Sequence, residues 1–417
     1  MMLTHVCRIV LGHQFKPFVL RKAPDYLPDL DVPGLGVYVH VPFCKSLCPF
    51  CPYYKTQYDE SVHAGYCDAL LREMQIVAER AFPQRRAITS VYFGGGSPAL
   101  LAGDLARIRK SMDGHFKLAG HAGIELHPRD VVSDTPTMLS DAGFDMVSIG
   151  VQSFSPRLLG ALGRSDESPS AALSAFAGGR FQAVDVDLIF GIPGQREQDL
   201  RSDFLTAAEG GATQISTYPF IDFSFASNRH KPLGWRRKKG LLACLLKTAD
   251  EAGFVRSSVW TFGKRGSPQY SSITRDNFLG FGPSAVSLGK DALKVNVFSV
   301  DAYVETVRKG FVPTALRMDM RARARGLYWL FWSCYNGAVS ERVYGELFGR
   351  SLGGDFGGAL FVGTTLGWVR RTDDGWSLTE RGSYLFHLVE QAYTHQYIDK
   401  TWRCSMETPW PERIRLY

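Results

Sequence analysis

The stretch GVYVHVPFCKSLCPFCPYYK, residues 36–55, runs an alternating β-branched segment straight into three cysteines, Cys44, Cys48 and Cys51. A structural zinc site wants four ligands. The nearest fourth donors in the sequence are His40, His63 and Cys67, and none of the usual paired spacings is present. An iron–sulfur cubane takes four thiolates, so a C-x3-C-x2-C loop leaves one iron without a protein donor. An open metal position can bind a substrate or cosubstrate directly. Pro49 and Pro52 bracket the later cysteines and discourage a helix, as suits a loop wrapped around a cluster.

Outward from that loop, residues 36–218 alternate short β-branched runs with longer amphipathic segments, the pattern of βα units around a parallel sheet or barrel. Six candidate strands stand out: GVYVHV (36–41), ITSVYFGG (88–95), GIELH (123–127), DMVSIGV (145–151), VDVDLIFG (184–191) and ATQISTYP (212–219). Helical stretches lie between them. Six such units predict an α/β fold, an incomplete (β/α)6 TIM-like barrel open on one side. Residues 220–300 are less regular and continue the same domain. From about 312 helices take over, and two short strands joined by the turn DDG precede a helix opened by SLTERG. The expected division is an N-terminal extension (1–35), a catalytic domain (36–311) and a smaller C-terminal winged-helix-like α+β domain (312–417).

With 417 residues and 45% hydrophobic content, the chain can bury a large core. No apolar run reaches the length of about 18 residues that a membrane span needs, so no membrane is expected. Arg8 and His13 interrupt the apolar N-terminal residues and no small-residue cleavage pattern follows, which leaves a cytoplasmic location as the expectation. Five of the eight cysteines are scattered, unlike a disulfide framework. A net charge of +7 is mild for this length, so no nucleic-acid partner is expected, while an acidic electron carrier would be steered by it.

The loop CKSLCPFC resembles the cluster motif of radical S-adenosylmethionine (SAM) enzymes. In that superfamily the unliganded iron chelates SAM, and reductive cleavage gives a 5′-deoxyadenosyl radical. The resemblance is more specific to the oxygen-independent coproporphyrinogen III oxidase-like, or HemN-like, branch. It rests on YVHVPFC, VYFGGGSPALL (91–101), IELHP (124–128), VSIGVQSFSPRLLGALGR (147–164) and VDLIFGIPGQ (186–195), with LGFGPSAVS and the 340–390 region further on.

The resemblance implies a [4Fe-4S] cluster on Cys44, Cys48 and Cys51 and two molecules of SAM. It places Gly94, Gly95 and Gly96 near the amino group of SAM, and Glu125 at the ribose hydroxyls. Gln152, Arg164 and Asp187 would surround the same ligand, with Arg164 able to fork onto a carboxylate. Tyr38 and Phe50 would flank the cluster, and Ile189 would pack on adenine. Each has a plainer reading too: a tight turn for the glycines, a structural ion pair for Arg164 and Asp187, core for Ile189.

One departure matters. The porphyrinogen decarboxylase carries a further cysteine two residues after the third ligand, where this chain has Tyr53. Many HemN-like proteins are instead class C radical SAM methyltransferases, which C-methylate or cyclopropanate a substrate with a second SAM. That is the leading expectation, with a tetrapyrrole enzyme (decarboxylase or haem-opening) or a haem chaperone as alternatives. ISTYPFIDFSF (215–225), rich in rings and hydroxyls, suits a planar substrate, and Tyr218 or Tyr53 could exchange a proton there. A flavodoxin or ferredoxin would supply the electron.

Overall fold

The structure is a computed structural model, and it describes residues 2–164, 168–226, 228, 231–268 and 276–417. An early strand, β1 (Phe18–Lys22), precedes six strands that form the heart of the sheet: β2 (Gly36–Val41), β3 (Ser90–Gly95), β4 (Ala122–Leu126), β5 (Met146–Gln152), β6 (Ala183–Phe190) and β7 (Gln214–Pro219). Each pairs in parallel with the next. These are the six strands expected from the alternation, and the incomplete (β/α)6 barrel follows.

Intervening helices cover the outside. The longest, α1 (Glu60–Ala81), starts where the Asp59 carboxylate accepts from Ser61 N–H at 2.8 Å, and buries Tyr66, Leu70, Met74 and Val77 along one face. Next to it lies α2 (Ala102–His115), and α3 (Glu197–Glu209) connects β6 to β7. The less regular 220–300 region contains a helix, α4 (Trp235–Glu251), that buries Leu241, Leu242, Leu245 and Ala249. It also contains β8 (Phe254–Arg256), β9 (Thr261–Lys264), β10 (Phe278–Phe281), β11 (Val286–Leu288) and β12 (Ala292–Asn296).

The open barrel is extended on both sides. β9 and β8 continue beyond β7 as antiparallel strands. On the other side β10 runs parallel to β2, and β11, β12 and β13 (Thr314–Asp319) follow antiparallel. β13 then pairs with β1. The 1–35 segment therefore supplies a strand of the main sheet.

After α5 (Ala322–Tyr335), three short antiparallel strands form a separate small sheet: β14 (Ala338–Ser340), β15 (Val369–Thr372) and β16 (Gly375–Leu378). The hairpin of β15 and β16 leads into α6 (Glu380–Tyr393), whose cap is Thr379 accepting from Gly382 N–H at 3.0 Å. This is the winged-helix-like arrangement expected. The last strand, β17 (Arg413–Leu416), returns to the main sheet beside β1. No described helix is long and apolar enough to cross a membrane.

A buried carboxylate ties the barrel to its extension. Glu73 on α1 accepts from Gly282 N–H (2.8 Å), Tyr303 Oη (2.8 Å) and Asn296 Nδ2 (2.9 Å), and Lys294 in turn donates to Asn296 (2.9 Å).

Candidate active site

Strand register stacks the barrel's inner side chains in layers. Tyr38 lies level with Tyr92, and with Met146 and Ala183 they form an apolar floor. One step toward the carboxyl ends, His40 is level with Gly94, Glu125 with Ser148, and Ser148 with Asp185. Above these, Asp187 is level with Ser216 and Ile189 with Tyr218. The polar layers thus sit at the strand ends where barrel folds place their chemistry.

The three glycines are explained first by their neighbours. A Cβ on Gly94 would stand 2.7 Å from Glu125 Oε2, one on Gly95 would stand 2.5 Å from the His40 ring, and one on Gly96 would stand 2.3 Å from the Phe43 carbonyl. Gly95 also has φ +111°. Its N–H donates to Glu125 Oε2 at 3.0 Å, and Gly96 N–H donates to Val41 O at 2.7 Å. The glycines let strand, acid and cysteine loop close on one another.

His40 has a defined tautomer. Its Nε2 lies 2.8 Å from the Tyr54 carbonyl, which only accepts, so Nε2 carries the hydrogen and Nδ1 accepts from Tyr38 Oη at 2.9 Å. Burial lowers its pKa to about 4, so the ring is neutral.

The cysteine loop leaves a short strand at Phe43–Cys44, paired with Thr56–Gln57, and Tyr58 N–H donates back to Cys44 O at 2.9 Å. Lys55 Nζ donates to Cys51 O at 2.9 Å, and Lys45 pairs with Asp130 at 3.0 Å. Arg164 reaches the loop from the opposite side of the barrel: Nε donates to Cys48 Sγ at 3.3 Å, Nη1 to Gly150 O at 2.5 Å, and its guanidinium lies 5.4 Å from the Phe50 ring centroid. Phe50 also packs on the cluster of Ile189, Leu158, Leu162, Ile192 and Phe220. The structure therefore brings Cys48, Phe50, Arg164 and Ile189 together.

Gln152 ends β5 with φ +69°. Asp187 accepts from Ser148 Oγ at 3.0 Å, and Asp185 from Ser216 Oγ at 2.7 Å and Gln214 Nε2 at 3.0 Å. Burial raises Glu125 to about 7 and Asp185 to about 6. Asp187 is pushed well above the usual carboxylate range by burial, then by Asp185 and Glu125. Buried Asp185 and half-buried Glu125 both raise half-buried Asp187, and a cationic ligand beside them would restore the charge.

Residues that sequence reasoning passed over complete the wall: His40 as an inner-face group, Ser148, Asp185 and Tyr335. Asp185 was visible in VDVDLIFG, because residues two apart on a strand share a face. Tyr335 comes from α5, and its phenol is raised by burial and by nearby Glu390, Tyr53 and Asp187. Tyr218 is raised by burial, then by Asp187 and Tyr335, while both it and Tyr53 keep exposed surface at the barrel mouth. A cleft of about 460 Å³ lined by Arg256, Ser258, Asn336, Arg370 and Glu380 touches none of the expected site residues.

Residues 38–206 match the family model for the radical SAM superfamily. An anaerobilin synthase of Escherichia coli O157:H7 is 30% identical over 316 residues, 70% of this chain and 69% of that protein. The chain belongs to the HemN-like branch of the radical SAM superfamily. The heme chaperone HemW of Bacillus subtilis is 24% identical over 86% of this chain and 98% of its own length. The radical SAM coproporphyrinogen III oxidase HemN of Escherichia coli superposes with a TM-score of 0.73, at 20% identity, over 87% of this chain and 90% of that one. This HemN-like chain accordingly uses a [4Fe-4S] cluster and SAM.

The donor set fits such a cluster. The three thiols are free, and among the described residues they do not converge within 4.8 Å of one another as the ligands of a single ion would. A cubane instead gives each thiolate its own iron. Burial raises Cys44 to about 12, with Cys51 and Cys48 adding to it, and burial raises Cys51, so ionisation of these two thiols requires a cationic partner.

Proposed function

We propose that this HemN-like enzyme uses two SAM molecules to C-methylate or cyclopropanate a planar, conjugated small molecule. The observation that carries the reading is Tyr53. It replaces the further cysteine of the porphyrinogen decarboxylase, keeps exposed surface as Tyr218 does, and stands near Glu125 and Asp187.

Cys44, Cys48 and Cys51 would hold three irons of the cluster and leave the fourth without a protein donor. The cluster and SAM together supply a 5′-deoxyadenosyl radical that abstracts hydrogen. Glu125 accepts from the ribose hydroxyls, held in place by Tyr92 Oη (2.5 Å) and Gly95 N–H. Gly94, Gly95 and Gly96 let that ligand approach the strand. Arg164 faces the carboxylate of SAM, and Asp187 and Gln152 face its cationic end. Phe50 and Ile189 flank the adenine, and Tyr38 the methionyl portion. Tyr53 and Tyr218 meet the substrate, and either phenol can exchange a proton with it. An acidic flavodoxin or ferredoxin delivers the electron.

A second reading, a tetrapyrrole substrate or a haem cargo, is favoured by the relatives, whose names include anaerobilin synthase and heme chaperone. One anaerobic experiment separates the readings. Cluster-loaded protein is incubated with SAM, dithionite and either haem, coproporphyrinogen III or a panel of flat heteroaromatics, and 5′-deoxyadenosine and S-adenosylhomocysteine are measured. The proposal requires both products in a substrate-dependent ratio. 5′-Deoxyadenosine alone with coproporphyrinogen III favours decarboxylation. Stable haem retention with neither product makes the chain a carrier.

A further inference from the structure

We propose that His63, Cys67 and Asp104 form a binding site for one zinc ion, distinct from the cysteines of the cluster loop. His63 and Cys67 are four residues apart on α1 and so share one helix face, and Asp104 comes from the first turn of α2 packed alongside. Their ligand atoms all lie within 4.8 Å of one another. A tetrahedral zinc with Zn–S near 2.3 Å and Zn–N or Zn–O near 2.0–2.1 Å needs donors roughly 3.3–3.8 Å apart, so small side-chain shifts complete the site.

The donor types are those zinc prefers, one imidazole, one thiolate and one carboxylate. The outer contacts are already in place. Tyr58 Oη lies 3.1 Å from His63 Nδ1, which turns Nε2 into the site. Arg107 Nε donates to Asp104 Oδ1 at 3.0 Å, while Oδ2 faces His63 Nε2 at 2.9 Å. Ligating histidines and carboxylates are commonly oriented in this way. Zinc would enter between Nε2 and Oδ2 in place of the hydrogen bond that now joins them.

Arg107 also reaches Cys67, but it has a second anchor on Asp68 at 3.1 Å and can retire there. Cys67 is fully buried, whereas the His63 and Asp104 side chains are 15% and 28% exposed, which gives an ion access and leaves room for a water as fourth ligand.

The location gives the ion a consequence. The Phe43 ring lies parallel to His63, with centroids 6.4 Å apart and planes at 15°, and Phe43 immediately precedes Cys44. Tyr58, which touches His63, also holds the Cys44 carbonyl through its N–H. Zinc here would brace the back of the cluster loop.

The test uses cluster-loaded protein equilibrated anaerobically with Zn²⁺, desalted, and analysed for metals and by X-ray absorption at the zinc edge. The expected result is one zinc per chain with full iron retained, and a shell of one sulfur near 2.3 Å with nitrogen and oxygen near 2.0–2.1 Å. Cys67→Ser and Asp104→Asn should each weaken retention at least tenfold, and zinc should slow iron release to a chelator. No zinc retained beside a full cluster overturns the proposal. So does a three-sulfur shell, which would place the ion on the cluster loop, or undiminished binding in Cys67→Ser. Should the variants fail to fold, the sulfur count of the unsubstituted protein decides alone.

Discussion

Arg164 Nε donates to Cys48 Sγ at 3.3 Å, joining the segment after β5 to a cluster ligand 116 residues earlier in the chain. The same guanidinium lies over Phe50, so one side chain holds the loop from across the barrel. If Arg164 meets SAM as proposed, Arg164→Leu should retain the cluster but lose a charge-assisted contact to SAM of about 1.5–3 kcal/mol, a weakening of about 10- to 150-fold. Arg164→Lys should recover only part of this, because an ammonium cannot fork. The check is a SAM titration followed by the paramagnetic signal of the reduced cluster. A change below twofold would remove Arg164 from the ligand shell.

Glu125 is raised from 4.5 to about 7 by burial. Between those values the folded protein holds a proton that the unfolded chain has released, so the SAM-free protein should lose stability as pH climbs from about 4.5 to 7 and level off above. The effect is about 3 kcal/mol at most. Glu125→Gln should flatten that part of the stability–pH curve while Asp185 leaves a residual slope. Denaturant midpoints across pH 4.5–8 measure it, and identical slopes in the two proteins would contradict the assignment.

Gly95→Ala combines a left-handed φ of +111° with a methyl 2.5 Å from the His40 ring. The backbone strain alone is of order 1–3 kcal/mol, and displacing a fully packed imidazole adds to it. We expect a lowered melting temperature together with impaired cluster assembly. Pairing it with His40→Ala should relieve the contact and leave the strain.

Glu73→Ala tests the fold away from the chemistry. It strands Lys294, Asn296 and Tyr303 in the core, and loss of one partner from a buried charged network costs about 3–5 kcal/mol. The urea midpoint should fall accordingly, with SAM affinity unchanged at temperatures where the protein stays folded.

The barrel was legible because buried parallel strands write themselves as short β-branched runs, and all six lie within two residues of where the alternation puts them. α1 runs from Glu60 to Ala81 with its apolar residues spaced to bury one face. α4 was harder: WRRKKG reads as a solvated face, and only the spacing of Leu241, Leu242, Leu245 and Ala249 betrays the buried side. β1 and β17 left no local signal, since their pairing joins distant segments. In the candidate site, the cysteine loop and Glu125 stand out in the sequence through their motifs, and the structure puts them beside β2 and on β4. Tyr335 does not stand out, because nothing in a helix sequence says which barrel wall it will face.

The placement of β1 between β13 and β17 has a consequence for synthesis. Lys22 meets Glu412 across a separation of 390 residues, so β1 is synthesised that far ahead of the strand that covers its second edge. Until then it presents unpaired backbone groups. Nascent protein should therefore depend on holdase protection, and shortening the chain before Arg413 should yield insoluble material even though every cluster ligand is intact.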